Sequence, residues 1–233
     1  MDGVRIEDGL TGRQGRMLFA FLAAHRLRAV PRGELLQVLW PDEPPAAAES
    51  ALAALLAKLR KLVGAEALAG RHELRLLLPA GAWVDLEAAA DGLHRAESAI
   101  AAADWARAWG PARVALHIAA RGFLPGYEAP WIASIRRRLE DMRLRAHECV
   151  ARSGLGLGGA EIATAERAAR GLTELAPLRE SGYRLLMQAL AAGDNQGEAL
   201  LVYERLRSIL RDELGASPSA SAQALHRQLL TSG

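Results

Sequence analysis

From residue 13 onward, hydrophobic side chains recur mainly every third or fourth position, the spacing of helices buried along one face. Thr11 opens the first such helix, with Gln14 three residues on as a capping box, and Met17, Leu18, Phe21 and Leu22 form its core face up to about His25. Pro31 begins a second, with Leu35, Leu36, Leu39 and Trp40 inward. A third runs from Ala46, just after Pro44 and Pro45, to Val63. It is stopped by Gly64, and Leu52, Leu55, Leu56, Leu59, Leu62 and Val63 form its core stripe. Strand-like segments are few: residues 3–10 (GVRIEDGL) read as a short strand with a turn. Residues 73–78 (ELRLLL), closed by Pro79 to Gly81, read as a strand with a hairpin.

Beyond Trp83-Val84-Asp85 only the helical period persists. It predicts helices over 86–102, 104–121, 130–153, 160–176, 179–193, 195–214 and 219–231, with breaks at Gly122–Gly126, Gly154–Gly159, Pro177, Gly193–Asn195 and Gly215–Pro218. Ala163 and Ala199 open similar patterns 36 residues apart, close to the tetratricopeptide period, in which helix pairs stack into a solenoid. The expected fold is therefore mostly α. Residues 1–84 form an N-terminal winged helix-turn-helix, and residues 85–233 a tetratricopeptide-like all-helical domain.

Three helices followed by a hairpin is the order in which a winged helix sends its third helix into the major groove. At about 100° per residue the face opposite the core stripe carries Ser50, Ala54, Ala57 and Lys61, flanked by Ala53 and Lys58. The only lysines of the chain are Lys58 and Lys61, against 27 arginines. Arg13, Arg16, Arg32 and Arg60 are further candidates for duplex phosphate. The hairpin would bring Arg71, His72 and Arg75 to the backbone as well. Base recognition needs donors and acceptors, each bidentate pair contributing about 1–3 kcal/mol of discrimination. Ala54 and Ala57 offer only methyl contacts, and lysines reach phosphates more naturally than base edges. A plain alternative is a solvated helix whose last turn carries cations that suit its dipole.

Composition narrows the class. The chain is 51% hydrophobic, with few aromatic residues, as suits a mainly helical protein. Net charge is only +2, a faint footprint for a nucleic-acid binder. The lone Cys149 excludes an internal disulfide and fits a reducing cytoplasm. No apolar run reaches membrane-spanning length, so a cytoplasmic protein without a membrane partner is expected.

Arg136, Arg137 and Arg138, with Arg143 and Arg145 beyond, make a basic cluster, and Arg138 and Asp141 have the Arg-x-x-Asp spacing of some guanine-nucleotide sites. An anionic small-molecule effector would bind there, whereas the plainer reading is a surface ion-pair network with Glu140, Asp141 and Glu148. Residues 154–159 (GLGLGG) lack the preceding strand of a dinucleotide loop and read as an inter-helix linker. The six histidines are scattered without metal spacing, and no Gly-x-Ser-x-Gly supports a nucleophilic serine. Trp105, Trp109 and Trp131 read as packing anchors. No catalytic residue, metal or cofactor is expected, and the chain reads as a non-enzyme.

LTGRQGRMLFAFLAAHRLRAVPRGELLQVLWPDEPP, KLRKLVG, VDLEAA, GFLPGYEAPWI and PLRESGYRLLMQALAAGDNQGEALLVYERLRSILRDELGASPS together resemble the SARP-type transcriptional activators. The most specific pieces are Leu39-Trp40-Pro41, Pro177-Leu178-Arg179-Glu180, and Ala199-Leu200 through Tyr203 to Glu213-Leu214-Gly215. The resemblance implies an OmpR-like winged helix followed by a bacterial transcriptional activator domain. It also implies a promoter-binding activator that dimerises on direct repeats of double-stranded DNA and recruits RNA polymerase. The chain departs from the family at His72-Glu73, where the wing usually has a glycine and an aromatic residue, and in the alanines of the 46–63 helix. Those alanines keep a second reading open, a ligand- or protein-binding scaffold that has lost sequence-specific DNA binding.

Overall fold

The computed structural model describes residues 9–10 and 12–231. The strand expected over residues 3–10 falls almost wholly outside them, as does the Thr11 hydroxyl. The chain divides into two compact units, residues 1–84 with 126–133, and residues 85–125 with 134–233.

In the first unit, α1 (Arg13–Ala24), α2 (Arg32–Leu39) and α3 (Ala48–Val63) surround a small antiparallel sheet of β1 (Val30–Pro31), β2 (Leu68–Ala69) and β3 (Glu73–Leu76) in the order β1-β3-β2. The N-cap of α1 is Gly12, one residue later than the expected Thr11, with φ +81 and no side chain to cap with. Its face is as the spacing predicts, with Met17, Leu18, Phe21 and Leu22 buried. Pro31 closes β1 in extended conformation and N-caps α2, so the turn between strand and helix is a single residue. On α2, Leu35, Val38 and Leu39 are buried, while Leu36 and Trp40 are half-buried. β3 alternates in the period of two, Leu74 and Leu76 pointing inward and Glu73 and Arg75 outward. Two residues long, β1 and β2 were too short to leave a periodic signal. Pairing with β3, through Val30 opposite Leu74 and Leu68 opposite Leu76, defines them.

α3 starts two residues later than the prolines suggested. The amide of Ala48 turns back to the Pro45 carbonyl at 2.9 Å before the helix begins. Leu52, Leu56, Leu59 and Val63 are buried, each fully buried side chain contributing about 1.5–3 kcal/mol of transfer free energy. Leu55 and Leu62, at the edge of the stripe, are half-buried beside Gly9, Leu10 and Gly15. Residues 126–133 complete this unit: Trp131 meets Phe21 edge-on at 5.1 Å, and the Arg13 guanidinium lies 4.9 Å over the Tyr127 ring.

The second unit is all helix. It comprises α4 (Asp85–Ala101), α5 (Trp105–Ala119), most of α6 (Pro130–Leu157), α7 (Ile162–Leu175), α8 (Glu180–Ala192), α9 (Gln196–Leu214) and α10 (Ala220–Thr231). α4 pairs with α5, α7 with α8, α8 with α9, and α9 with α10. Alanine makes the closest approaches: Ala89, Ala96, Ala108, Ala112 and Ala115 are fully buried where α4 meets α5. Asp104 caps α5 by accepting from the Arg107 amide at 3.1 Å. Gly215, left-handed at φ +63, ends α9, with the Ala216 amide donating back to the Leu210 carbonyl. No helix among the described residues is long and apolar enough to cross a membrane.

One expected break comes late. α6 continues through Gly154 and Gly156 to Leu157, and the chain turns only at Gly158 (φ +71). The first two glycines serve contact rather than flexibility. A Cβ at Gly156 would collide with the Trp105 indole, and one at Gly154 would crowd Ala165 and Trp109. Gly156→Ala is therefore expected to lower stability by about 1–3 kcal/mol through overpacking. Gly197→Ala, in open space at the start of α9, should raise it by ~0.5 kcal/mol. Urea unfolding of the two variants measures both.

His147 is packed in the same way. Its Nδ1 donates to the Ala168 carbonyl at 3.0 Å, and Gly171 leaves room for the ring. Burial, opposed by that bond and aided by Arg143, holds its pKa below the ordinary 6.5. The unfolded chain therefore takes up this proton first. Stability present above the unfolded value is lost as pH falls from about 6.5 through the folded value. His147→Gln should remove that component, seen as a flatter dependence of the urea midpoint on pH between 7 and 5.

Candidate nucleic-acid interface

Burying one stripe of α3 turns its opposite stripe outward. Ser50, Ala53, Ala54, Ala57, Lys58 and Lys61 are all exposed. Lys58, Lys61, Arg16 and Arg71 are exposed without an ion-pair or hydrogen-bond partner among the described residues. Lys58 and Gly15, near the start of α1, line the same small cleft.

The hairpin side of α3 is more ordered. Arg60 donates to the Gly70 carbonyl at 2.8 Å, tying the end of α3 to the hairpin turn. Arg32 donates to the Glu49 carboxylate at 2.7 Å, joining the first turns of α2 and α3. The Arg32 amide also donates to the His72 carbonyl at 3.0 Å. These contacts frame a solvent-open basin of about 700 Å³ whose polar lining is Arg32, Arg60, Arg71, His72 and Glu49. A concave surface with three guanidiniums and one carboxylate suits an anionic backbone better than an apolar ligand.

Of the arginines singled out by sequence, Arg32, Arg60 and Arg71 are brought together here. Arg75 is on β3 but donates to the Arg26 carbonyl at 3.2 Å, away from the hairpin tip. Arg13 donates to the Gly126 carbonyl at 3.4 Å and stacks on Tyr127. Glu49 and the basin itself were not evident from the sequence, because the Arg32–Glu49 pair spans 17 residues and no local spacing reports it. The Gly70 turn did leave a signal, a lone glycine between two apolar segments.

The proposed effector residues are dispersed along α6. Arg136 donates to the carbonyls of Phe123 at 3.0 Å and Leu124 at 2.7 Å, and so holds the GFLPG turn, where Leu124 takes φ +44. Arg137 and Arg138 are exposed. Asp141 pairs with Arg145 at 3.3 Å. Arg145 also grips Glu97 through two nitrogens at 2.8 and 2.7 Å, and these hydrogen bonds hold its pKa above the ordinary arginine value.

Residues 84–230 match the family described as the bacterial transcriptional activator domain. The chain belongs to this family, that of the SARP-type transcriptional regulators. It is 36% identical over 93% of its length to Regulatory protein AfsR of Streptomyces coelicolor, and 31% identical over 95% to Transcriptional regulator RedD of the same organism. It spans 22% of the length of AfsR and 65% of that of RedD. Among solved structures, Mycobacterium tuberculosis EmbR in complex with a low-affinity phosphopeptide aligns with TM-score 0.74. The alignment is at 24% identity and covers 95% of this chain and 60% of that one. The likeness to EmbR extends across both compact units.

In this SARP-type chain the hairpin geometry rests on Gly70. Its φ is +89, and a Cβ there would collide with the Glu73 carbonyl oxygen. Gly70→Ala is expected to cost about 1–3 kcal/mol in urea unfolding. It should also release Arg60 and Arg71 from the basin, read as weaker protection of the Leu68–Leu76 amides in hydrogen exchange.

Proposed function

We propose that residues 1–84 are a winged-helix DNA-binding domain and that the protein is a cytoplasmic transcriptional activator. Residues 85–233 are a tetratricopeptide-like activator domain that supplies dimerisation and RNA polymerase contact. α3 lies in the major groove of double-stranded DNA. Ser50, Ala54 and Ala57 pass close to the bases, while Lys58 and Lys61 engage phosphates. Arg60, Arg71 and Arg32 hold the adjacent strand at the basin, and Arg16 extends the cationic track along α1. Arg13 and Arg75, engaged elsewhere, contribute charge rather than contact.

The observation that carries this reading is the open outer face of α3, ending in two partnerless lysines beside a basin of three arginines. An alanine surface lets the helix axis approach the groove closely but discriminates bases only through methyl contacts. Affinity therefore comes mainly from phosphate neutralisation and is steeply salt dependent. Selectivity comes from duplex shape and from pairing of two copies on repeated half-sites. The family membership supports regulation of transcription, and the alignment of 95% of this chain with RedD, across both units, supports the same two-part organisation.

The test is fluorescence anisotropy of promoter and random duplexes at two salt concentrations. Binding should weaken with salt. Changing Lys58 and Lys61 together to alanine should reduce the slope of log K against log salt by about 2 for both duplexes. No salt-sensitive binding to either duplex would leave the scaffold reading in its place.

A further inference from the structure

Two turns beyond the exposed arginines of α6 lies a second charged group that the DNA-binding reading does not use. Arg145, Glu148 and Arg152 of α6, Glu97 of α4 and Arg179, the N-cap of α8, line a cavity of about 340 Å³ within the helical unit. Ile100 and Cys149 form part of its apolar wall. The volume lies at the small end of the range of roughly 300–1,000 Å³ for ligand pockets, suited to a metabolite rather than a peptide.

The disposition of hydrogen bonds shows what is left to offer. Every nitrogen of Arg145 is engaged, with Nε and Nη2 on Glu97 and Nη1 on Asp141. Arg179 donates Nη2 to Glu148 at 2.8 Å and Nε to the Ser181 hydroxyl at 3.3 Å, which leaves Nη1. Arg152 is exposed and has no ion-pair or hydrogen-bond partner among the described residues. Three guanidiniums face two carboxylates, and both carboxylates already accept from arginine. The charged groups still without a partner are therefore donors, and the lining carries one more guanidinium than carboxylates. Burial pushes the Cys149 thiol up to about 12, so it stays neutral and does not oppose an anion.

We propose that this cavity binds a small phosphate monoester of sugar-phosphate or mononucleotide size. Its phosphate sits on Arg152 and Nη1 of Arg179, and its uncharged part lies against Ile100 and Cys149. Phosphate matches the planar guanidinium fork, and two arginines sharing one phosphate is a common geometry for recognising it. Hydroxyls of the ligand can donate to the remaining lone pairs of Glu97 and Glu148, which selects a polyol phosphate over a simple anion. A bound ligand would link α4, α6 and the start of α8, segments separated by 48 and 31 residues at their paired side chains.

Isothermal titration calorimetry of the full chain, without DNA, tests this independently of promoter binding. The probes are ribose 5-phosphate and adenosine monophosphate, with ribose and adenosine as phosphate-free controls. At least one phosphorylated probe should bind saturably while the controls do not. Arg152→Ala should weaken binding about tenfold, the loss of a charged hydrogen-bond donor, and Arg152→Glu more. Arg138→Ala, on the exposed cluster upstream, should leave it unchanged. Arg152 is exposed and unpaired, so these variants are expected to retain wild-type circular dichroism and thermal midpoint. The proposal is overturned by absence of saturable binding at millimolar probe, by equal binding of the controls, or by binding that survives Arg152→Glu. Loss of binding in Arg138→Ala would likewise overturn it, by moving the site to the upstream cluster.

Discussion

The first unit depends on the burial of one stripe of α3. Leu52, Leu56, Leu59 and Val63 are buried, as are Leu18, Leu22, Leu35, Leu74 and Leu76, where α3 packs on α1 and α2 and β3 on α1. Once those four side chains are fixed inward, helical geometry leaves Ser50, Ala54, Ala57 and Lys61 facing solvent. The presentation of the basic end is thus a by-product of core packing. No interaction on the outer face is needed to hold the helix in place, and Lys58 and Lys61 are left free for another molecule.

Around that helix the cations fall into two groups. Lys58, Lys61, Arg16 and Arg71 are unpaired, whereas Arg32 and Arg60 are held by Glu49 and by the Gly70 carbonyl. An arginine fixed in one place before a phosphate arrives loses less side-chain entropy on contact, while its partner carboxylate lowers the local potential. The basin combines both effects, which suits it to setting register more than to supplying raw affinity. The loosely held lysines are the ones able to follow a backbone of variable geometry.

The helical unit uses charge differently. Arg136 braces the GFLPG turn, Arg145 joins α6 to α4, Arg179 joins α6 to the start of α8, and Arg170 joins Glu166 to Glu198 of α9. Alanine and glycine let the helices approach closely, and large side chains such as Leu172, Tyr183, Met187 and Leu206 fill the core between them. Directional bonds at the rims add to the register those contacts set, although partly exposed pairs of this kind each contribute little stability. Arg137, Arg138 and Arg152 remain outside these bonds.

Much of this was legible in the sequence because it is local. The period of 3.6 located the helices of the second unit to within a few residues. Proline and glycine marked most of their ends, and the same period separated the buried and exposed faces of α3. What the sequence could not supply involves partners distant along the chain. β1 and β2 exist only because β3 lies between them, and two residues carry no periodicity. Gly154 and Gly156 read as a linker because a glycine looks the same whether it permits a turn or a close approach. Only the positions of Trp105 and Trp109 decide between them. The Arg32–Glu49 pair and the gathering of Arg145, Arg152 and Arg179 with Glu97 and Glu148 likewise depend on helix packing, which brings together charges that no spacing along the chain relates.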